Sequence, residues 1–363
     1  MPFDLPFDYL LAMSEWLIVM AVSFVALLWM RRRCGKGRPK RLACLNLGLS
    51  AWMFLAALTA VELYFAVVYD QSDSFNMTNV SRHWFDRHIK PVQKRLIFED
   101  GQQTPYRDAR PFPTSLAEGQ HHICFVGDSF TFGHGVPNIA DRFSDRIGAS
   151  LERQQPGRFV VSNLADAGRD LHYTEKLLEE LLADKLPVQT VVYVICLNDI
   201  ETFDRRTAEL YQEIGDKNPR SWLITHTYFI NLLYYRMQQF KSPRVGGYYD
   251  FLQDAYSSDA WDGMRRKLEE IRTMCAAGGL DFRIAIFPFL HNLGPDYPFG
   301  EAHRRLTEYC QEAGLPVLDL RPVLEPHVGD GLTVNRFDAH PNARAHELAA
   351  QAIERELLHD LLE

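Results

Sequence analysis

Two long apolar stretches constrain this chain more than any other feature. One runs from about residue 9 to 30 and the other from about 42 to 69. Each is long enough for a hydrocarbon core, which needs roughly 20 residues of helix. The chain is therefore expected to carry two membrane-crossing helices ahead of a soluble remainder. A cleaved signal peptide would carry its basic residues before the apolar run and a small-residue site after it. Here the basic cluster follows the first run, and no such site stands out. Mean hydropathy is ordinary only because these stretches are averaged with a polar remainder.

The loop between them, residues 31–41, reads Arg31-Arg32-Arg33-Cys34-Gly35-Lys36-Gly37-Arg38-Pro39-Lys40-Arg41, while the outer flanks carry Asp4, Asp8, Asp70 and Asp73. Short basic loops stay on the cytoplasmic side. Both termini, and everything after about residue 70, are then expected outside the cytoplasmic membrane, in the periplasm if the cell is Gram-negative. Glu15 and Glu62 fall inside the apolar stretches. A carboxylate at that depth needs a partner, water or neutralisation. Both lie about two turns from the outer boundary and are expected to reach the headgroup region; a helix contact or a polar cavity is the competing reading. The net charge of −8 argues against a nucleic-acid partner, which favours a basic face.

Residues 70–120 are polar and aromatic with several prolines and no sustained period, and read as an extracytoplasmic linker. Asn76 and Asn79 begin Asn-x-Ser/Thr patterns, which occur often by chance. Beyond them, short apolar runs alternate with helical periods. Strands are expected at Ile123–Val126, Phe159–Ser162, Thr190–Cys196, Phe282–Phe287 and Val317–Leu320, with helices near 141–154, 173–185, 260–277, 301–313 and 343–361. Strands that alternate with helices imply a parallel sheet covered on both faces, so residues 121–361 should form one α/β domain. An aromatic, irregular insertion at about 201–259 interrupts the rhythm and is expected to act as a lid, a substrate platform or a membrane-facing surface, or to pack as a plain amphipathic helix. Of six cysteines, only Cys275 and Cys310 suggest a disulfide. His121-His122 and the His340/His346 pair lack zinc-ligand spacing.

The first strand of the domain ends in Gly127-Asp128-Ser129, which puts a serine hydroxyl at the carboxyl edge of the sheet, where open α/β folds place ligands. Three later stretches answer it. Asn163-Leu164-Ala165-Asp166-Ala167-Gly168 follows the second strand, Cys196-Leu197-Asn198-Asp199 follows the third, and Asp338-Ala339-His340-Pro341-Asn342 precedes the last helix. A serine is a weak nucleophile until a base takes its proton, and the developing oxyanion needs donors already aimed at it. His340 can be the base and Asp338 can fix its tautomer. The backbone N–H groups of Ser129 and Gly168, with the Asn198 amide, can form the oxyanion hole. Asp128, Asp199 and Asn342 read as supporting residues that hold the turns. His134 competes as the base by sequence proximity, but only His340 has the Pro-Asn sequel; His172, His291, His303 and His346 are expected to be solvated or satisfied locally.

In this order the blocks Gly-Asp-Ser, Gly, Asn-Asp and Asp-x-His-Pro-Asn resemble the SGNH/GDSL hydrolase superfamily over about residues 120–360, matching its named residues at Ser129, Gly168, Asn198 and His340. The resemblance implies a flavodoxin-like sheet of order 2-1-3-4-5 and ester hydrolysis or acyl transfer without metal or organic cofactor. Two departures stand out. Cys196 occupies a position where the family usually has glycine, and Asp338-x-His340 replaces the usual Asp-x-x-His, with Phe337 at the common aspartate position. Asp-x-His is similar to the arrangement in alginate-type polysaccharide O-acetyltransferases; Asp330 or a backbone carbonyl is the alternative orienting group. The expected function is a membrane-anchored extracytoplasmic serine esterase or O-acyltransferase on acyl, chiefly acetyl, esters of a cell-surface glycan. A lipid ester is the alternative substrate, and a non-catalytic glycan-binding or scaffold subunit is the competing class. The implied partners are the lipid bilayer and, for a transferase, a membrane-bound O-acyltransferase.

Overall fold

A computed structural model of the chain describes residues 5–34, 38–209, 212, 219–241 and 247–363. Asp4, Gly35–Gly37 of the basic loop and parts of the aromatic insertion lie outside the described residues. The chain divides into two compact units: Met1–Gln71, Asn76–Arg87 and Lys217–Lys241 form one, and Ser72–Phe75, His88–Asp216 and Ser242–Glu363 form the other.

The first unit is built on α1 (Phe7–Arg33) and α2 (Pro39–Leu63), the latter continued by a π-helical turn, Tyr64–Val68. Their apolar windows have mean hydropathies of 2.1 and 1.9 yet are only 6% and 11% buried. At 1.5 Å per residue α1 alone is about 40 Å long. Both helices are therefore long and apolar enough to cross a membrane, and they are not the covered core of a globular fold. Polar atoms join them sparingly: Trp16 Nε1 donates to Thr59 Oγ1 at 2.9 Å and Trp52 Nε1 to the Met20 carbonyl at 2.9 Å.

Glu62 has its partners within this unit. Its carboxylate accepts the backbone N–H groups of Tyr228 and Phe229 at 2.7 and 2.8 Å and the Tyr9 hydroxyl at 3.1 Å. Part of the insertion, the helix Phe229–Lys241, is thus fastened at its first turn to α2. Those N–H groups are ones that a helix cannot satisfy internally. Glu15 is exposed, on the wall of a groove of about 670 Å³ shared with Trp16, Leu58, Trp222 and Phe229. The α3 helix (Asn79–His88) also differs from the expected linker. Asn79 Nδ2 donates to the carbonyls of Thr225 and Thr227, and its backbone N–H donates to Asn231 Oδ1. This asparagine serves as a clasp rather than as a free acceptor for a glycan.

The second unit is a three-layer α/β fold around a five-stranded sheet in the order β4-β3-β5-β6-β7. Its strands are β3 (His121–Gly127), β4 (Phe159–Asn163), β5 (Thr190–Cys196), β6 (Asp281–Phe287) and β7 (Val317–Asp319), with every pairing parallel. Counted within the domain this is the 2-1-3-4-5 order. Every residue of β5 is buried, as expected of a strand covered on both faces. Before the sheet, β1 (Gln93–Ile97) and β2 (Gln103–Arg107) form an antiparallel pair. Leu96, Phe98, Tyr106 and Phe112 from this region join the core, so residues 88–120 belong to the folded unit rather than to a linker. Prolines and scattered aromatics hide the short two-residue period there. All six cysteines are free, and Cys275 and Cys310 are separately buried thiols.

Candidate active site

The turn after β3 is shaped by what fits there. Gly127 has φ +150°, and a Cβ on it would lie 2.6 Å from Thr131 Oγ1 and 2.7 Å from the Val194 carbonyl oxygen. Asp128 then caps α4 (Ser129–Phe132) by accepting the Phe130 N–H at 2.9 Å. Ser129 is left half-buried at the start of the helix. Its hydroxyl lies 2.8 Å from His340 Nε2 and 3.3 Å from Asp128 Oδ2.

His340 lies on β9 (Asp338–Pro341), which pairs with β8 (Thr333–Asn335) in a small antiparallel sheet. Its Nδ1 is 2.6 Å from Asp338 Oδ1. With Nδ1–H donated to the carboxylate, Nε2 presents its lone pair to Ser129. Asp-x-His works on a strand because the carboxylate folds back on its own backbone: Asp338 Oδ1 also accepts the His340 N–H at 3.2 Å. Asn342 locks the end of the strand. Its Oδ1 accepts the N–H groups of Arg344 and Ala345, and its Nδ2 donates to the Gly331 and Thr333 carbonyls. Asp330 pairs with Arg344 and His327 instead.

Asp338 is fully buried, which by itself raises a carboxyl pKa; the adjacent His340, then His134 and Ser72, outweigh burial and hold it well below the usual range. His134 is the second imidazole of the site. Its ring centroid is 4.4 Å from that of His340, and its Nε2 is 3.0 Å from the Asp73 carbonyl oxygen and 3.7 Å from Asp338 Oδ2. Burial, reinforced by His340, lowers its pKa to about 4, so it is neutral at pH 7. It faces the carboxylate rather than the serine, whereas His340 Nε2 is within hydrogen-bond distance of the Ser129 hydroxyl. His134, Asp338 and His340 bring ligand atoms within 4.8 Å of one another. Those atoms are already committed to hydrogen bonds, which makes the cluster a poor fit to a metal.

The three expected oxyanion donors stand at the ends of three neighbouring strands, β4, β3 and β5. Ser129 N–H opens α4. Gly168, with φ +74°, is exposed, and a Cβ on it would meet nothing within 4 Å, so its backbone borders open space. Asn198 is half-buried in the turn after β5, with Oδ1 buried and, among the described residues, unpartnered. Asp199 is structural: its Oδ2 accepts the Tyr193 hydroxyl at 2.6 Å and the Cys196 N–H at 3.2 Å. Burial, and then repulsion by Asp128, push the Asp199 carboxyl well above its ordinary range. The Cys196 thiol is fully buried close to the Asp128 and Asp199 carboxyl groups. A side chain therefore fits where the family usually has glycine.

Several contributors are invisible in the sequence. Asn163 Nδ2 donates to the Thr131 carbonyl and Ser144 Oγ, tying the end of β4 to the serine helix. Arg107, fully buried, donates to the carbonyls of Gly133, Val136 and Pro137 and holds the loop that carries His134. Ser72 donates its hydroxyl to Asp338 Oδ2. His346 departs from expectation: it is fully buried, and among the described residues its Nε2 has no partner.

A parallel α/β sheet with a serine–histidine–aspartate relay at its carboxyl edge defines a class of acyl-ester chemistry. The sequence matches the model of the GDSL-like lipase/acylhydrolase family over residues 125–348, and the chain belongs to that family. No curated protein matches it. Among solved structures, a member of the lipolytic protein G-D-S-L family from Veillonella parvula DSM 2008 is 15% identical, with 65% of this chain and 97% of that one covered and a TM-score of 0.40. A catalytic mutant of Axe2, an acetylxylan esterase from Geobacillus stearothermophilus, is 13% identical over 68% of this chain and 96% of that one, with a TM-score of 0.41. A two-domain esterase active on acetylated mannans is 15% identical over 67% of this chain, which spans half of that protein, with a TM-score of 0.38.

Proposed function

We propose that the protein is a membrane-anchored, extracytoplasmic serine esterase or O-acyltransferase that acts on acyl esters, chiefly acetyl esters, of a cell-surface glycan. The observation that carries this reading is the relay from Ser129 Oγ to His340 Nε2, at 2.8 Å, and from His340 Nδ1 to Asp338 Oδ1, at 2.6 Å. Ser129 Oγ attacks the acyl carbonyl carbon as its proton passes to Nε2. Asp338 stabilises the imidazolium that forms and keeps its orientation. The N–H groups of Ser129 and Gly168 and the Asn198 amide receive the oxyanion. On collapse the alcohol oxygen leaves with the proton from Nε2, and the acyl group stays on Ser129. Water then gives an esterase, or a sugar hydroxyl a transferase. In both cases Nε2 takes the acceptor's proton and returns it to Ser129 Oγ.

The location supports the substrate. Two apolar helices joined by a basic loop support, by the positive-inside rule, a catalytic unit outside the cytoplasmic membrane. Glycan esters are met there, and Asp338-x-His340 is similar to the arrangement in polysaccharide O-acetyltransferases. The test is covalent labelling of the detergent-solubilised protein by a fluorophosphonate, together with acetate release from an O-acetylated polysaccharide. Wild-type protein should label and release acetate, and Ser129→Ala should do neither. An unlabelled wild type beside a labelled control hydrolase would instead favour a glycan-binding or scaffold subunit.

A further inference from the structure

The stretch Ser72–Phe75 leaves the end of the second apolar helix within a few residues, yet it belongs to the catalytic unit. Ser74 N–H donates to the Phe337 carbonyl at 3.2 Å, and Ser74 Oγ accepts the Ala339 N–H at 2.9 Å. Asn335 Nδ2 donates to the Ser72 carbonyl at 3.1 Å, and the Asp73 carbonyl takes His134 Nε2–H at 3.0 Å. These four residues therefore form a strap across the strand that carries Asp338 and His340. Two of the four, Ser72 and Asp73, are buried, at 3% and 1% exposure.

We propose that Ser72 is a positioning residue of the site. Asp338 can orient His340 only while Oδ1 is directed at Nδ1, and a carboxylate held by one oxygen is free to swing about its terminal torsion. Among the described residues, the hydrogen bond to Oδ2 comes from Ser72. His134 lies 3.7 Å from that oxygen, with its own Nε2–H given to Asp73. Gly135 closes the same side: at φ +80°, a Cβ there would stand 3.0 Å from Asp338 Oδ2. Without Ser72, Oδ2 is a buried oxygen lacking a donor, and the carboxylate gains by turning away from His340 to find one. The site is thus completed by the residues that emerge from the membrane-crossing segment.

The inference rests on the Ser129–His340–Asp338 reading, and the experiment separates the two. Full-length protein in detergent is assayed for p-nitrophenyl acetate hydrolysis as wild type, Ser129→Ala, Ser72→Ala, Ser72→Thr and Ser74→Ala. Ser72→Ala should lower kcat roughly 10- to 100-fold, the cost of an unpaired buried oxygen, with KM nearly unchanged. Ser72→Thr keeps the hydroxyl and should recover most of kcat. Ser74→Ala takes the acceptor from the half-buried Ala339 N–H without touching the carboxylate, and it should lower kcat several-fold less than Ser72→Ala does. Wild-type kcat in Ser72→Ala, or equal losses in Ser72→Ala and Ser74→Ala, would overturn the positioning role while leaving the triad intact. Full activity in Ser129→Ala would overturn the triad reading and the role of Ser72 with it.

Discussion

Asp338 in the α/β unit and Glu62 in the helical unit are both buried carboxylates that gather several donors, yet in the proposed mechanism they serve different ends. Glu62 is held by two backbone amides and a phenol, none of which changes its proton count near neutral pH. Asp338 is held by a serine and by an imidazole that itself reaches the Ser129 hydroxyl. Burial and a filled hydrogen-bond shell therefore do not distinguish a structural carboxylate from a reactive one. The partner does: a carboxylate serves chemistry when the group it orients can gain and lose a proton.

Exchanging the oxygens tests that difference most severely. Asp338→Asn keeps the shape but offers His340 an amide, which favours the wrong tautomer, and kcat should fall by roughly 10⁴, as in serine proteases altered in this way. Glu62→Gln should leave kcat unchanged. It replaces one acceptor with a donor facing a backbone N–H, at a cost of about 1–3 kcal/mol in the stability of the helical unit. Hydrogen exchange at the Tyr228 and Phe229 amides reads that loss. If both variants lost turnover alike, the distinction between the two carboxylates would collapse. A smaller effect belongs to the oxyanion: Asn198→Ala should cost about 10²–10³ in kcat with little change in thermal midpoint.

The two units also differ in how far the sequence reveals them. All five strands of the main sheet and the stretches that carry Ser129, His340 and Asp338 follow from apolar runs that end in short polar motifs, because buried parallel strands and tight turns impose local residue choices; the strand order is implied only by the family resemblance. Asp338-x-His340 was legible for the same reason, since its partners lie two residues apart. Ser72 was not. It lies in a polar stretch without period and meets Asp338 across 266 positions of chain, and nothing local marks a serine as the donor to a distant carboxylate. Glu62 was visible as an anomaly in an apolar run, but its partners are backbone amides, which any residues could have supplied. The β1–β2 hairpin was missed because Pro105 and scattered charges break the alternation that identifies a strand.

A further effect concerns acid, and it again divides the units. Burial lowers the pKa of His122 and His134 to about 4 and that of His346 to about 3, all three in the catalytic unit. In the unfolded chain each titrates near 6.5. As pH falls from about 6.5 toward about 4, the unfolded state binds protons that the folded state refuses. Stability therefore falls through this window and levels off below it, by at most about 1.4 kcal/mol per pH unit for each histidine. His122 shows the mechanism: Nδ1–H donates to the Pro187 carbonyl at 2.8 Å, and Nε2 accepts the Ser162 hydroxyl at 2.9 Å, so a second ring proton would displace that bond. Hydrogen exchange of the full-length protein at about pH 5 should show β3, β4 and β5 amides opening more readily than at pH 7 while α1 and α2 change little. His122→Gln should be less stable at pH 7 but should flatten the slope. An equal acid response in both units would show that the buried histidines are not its source.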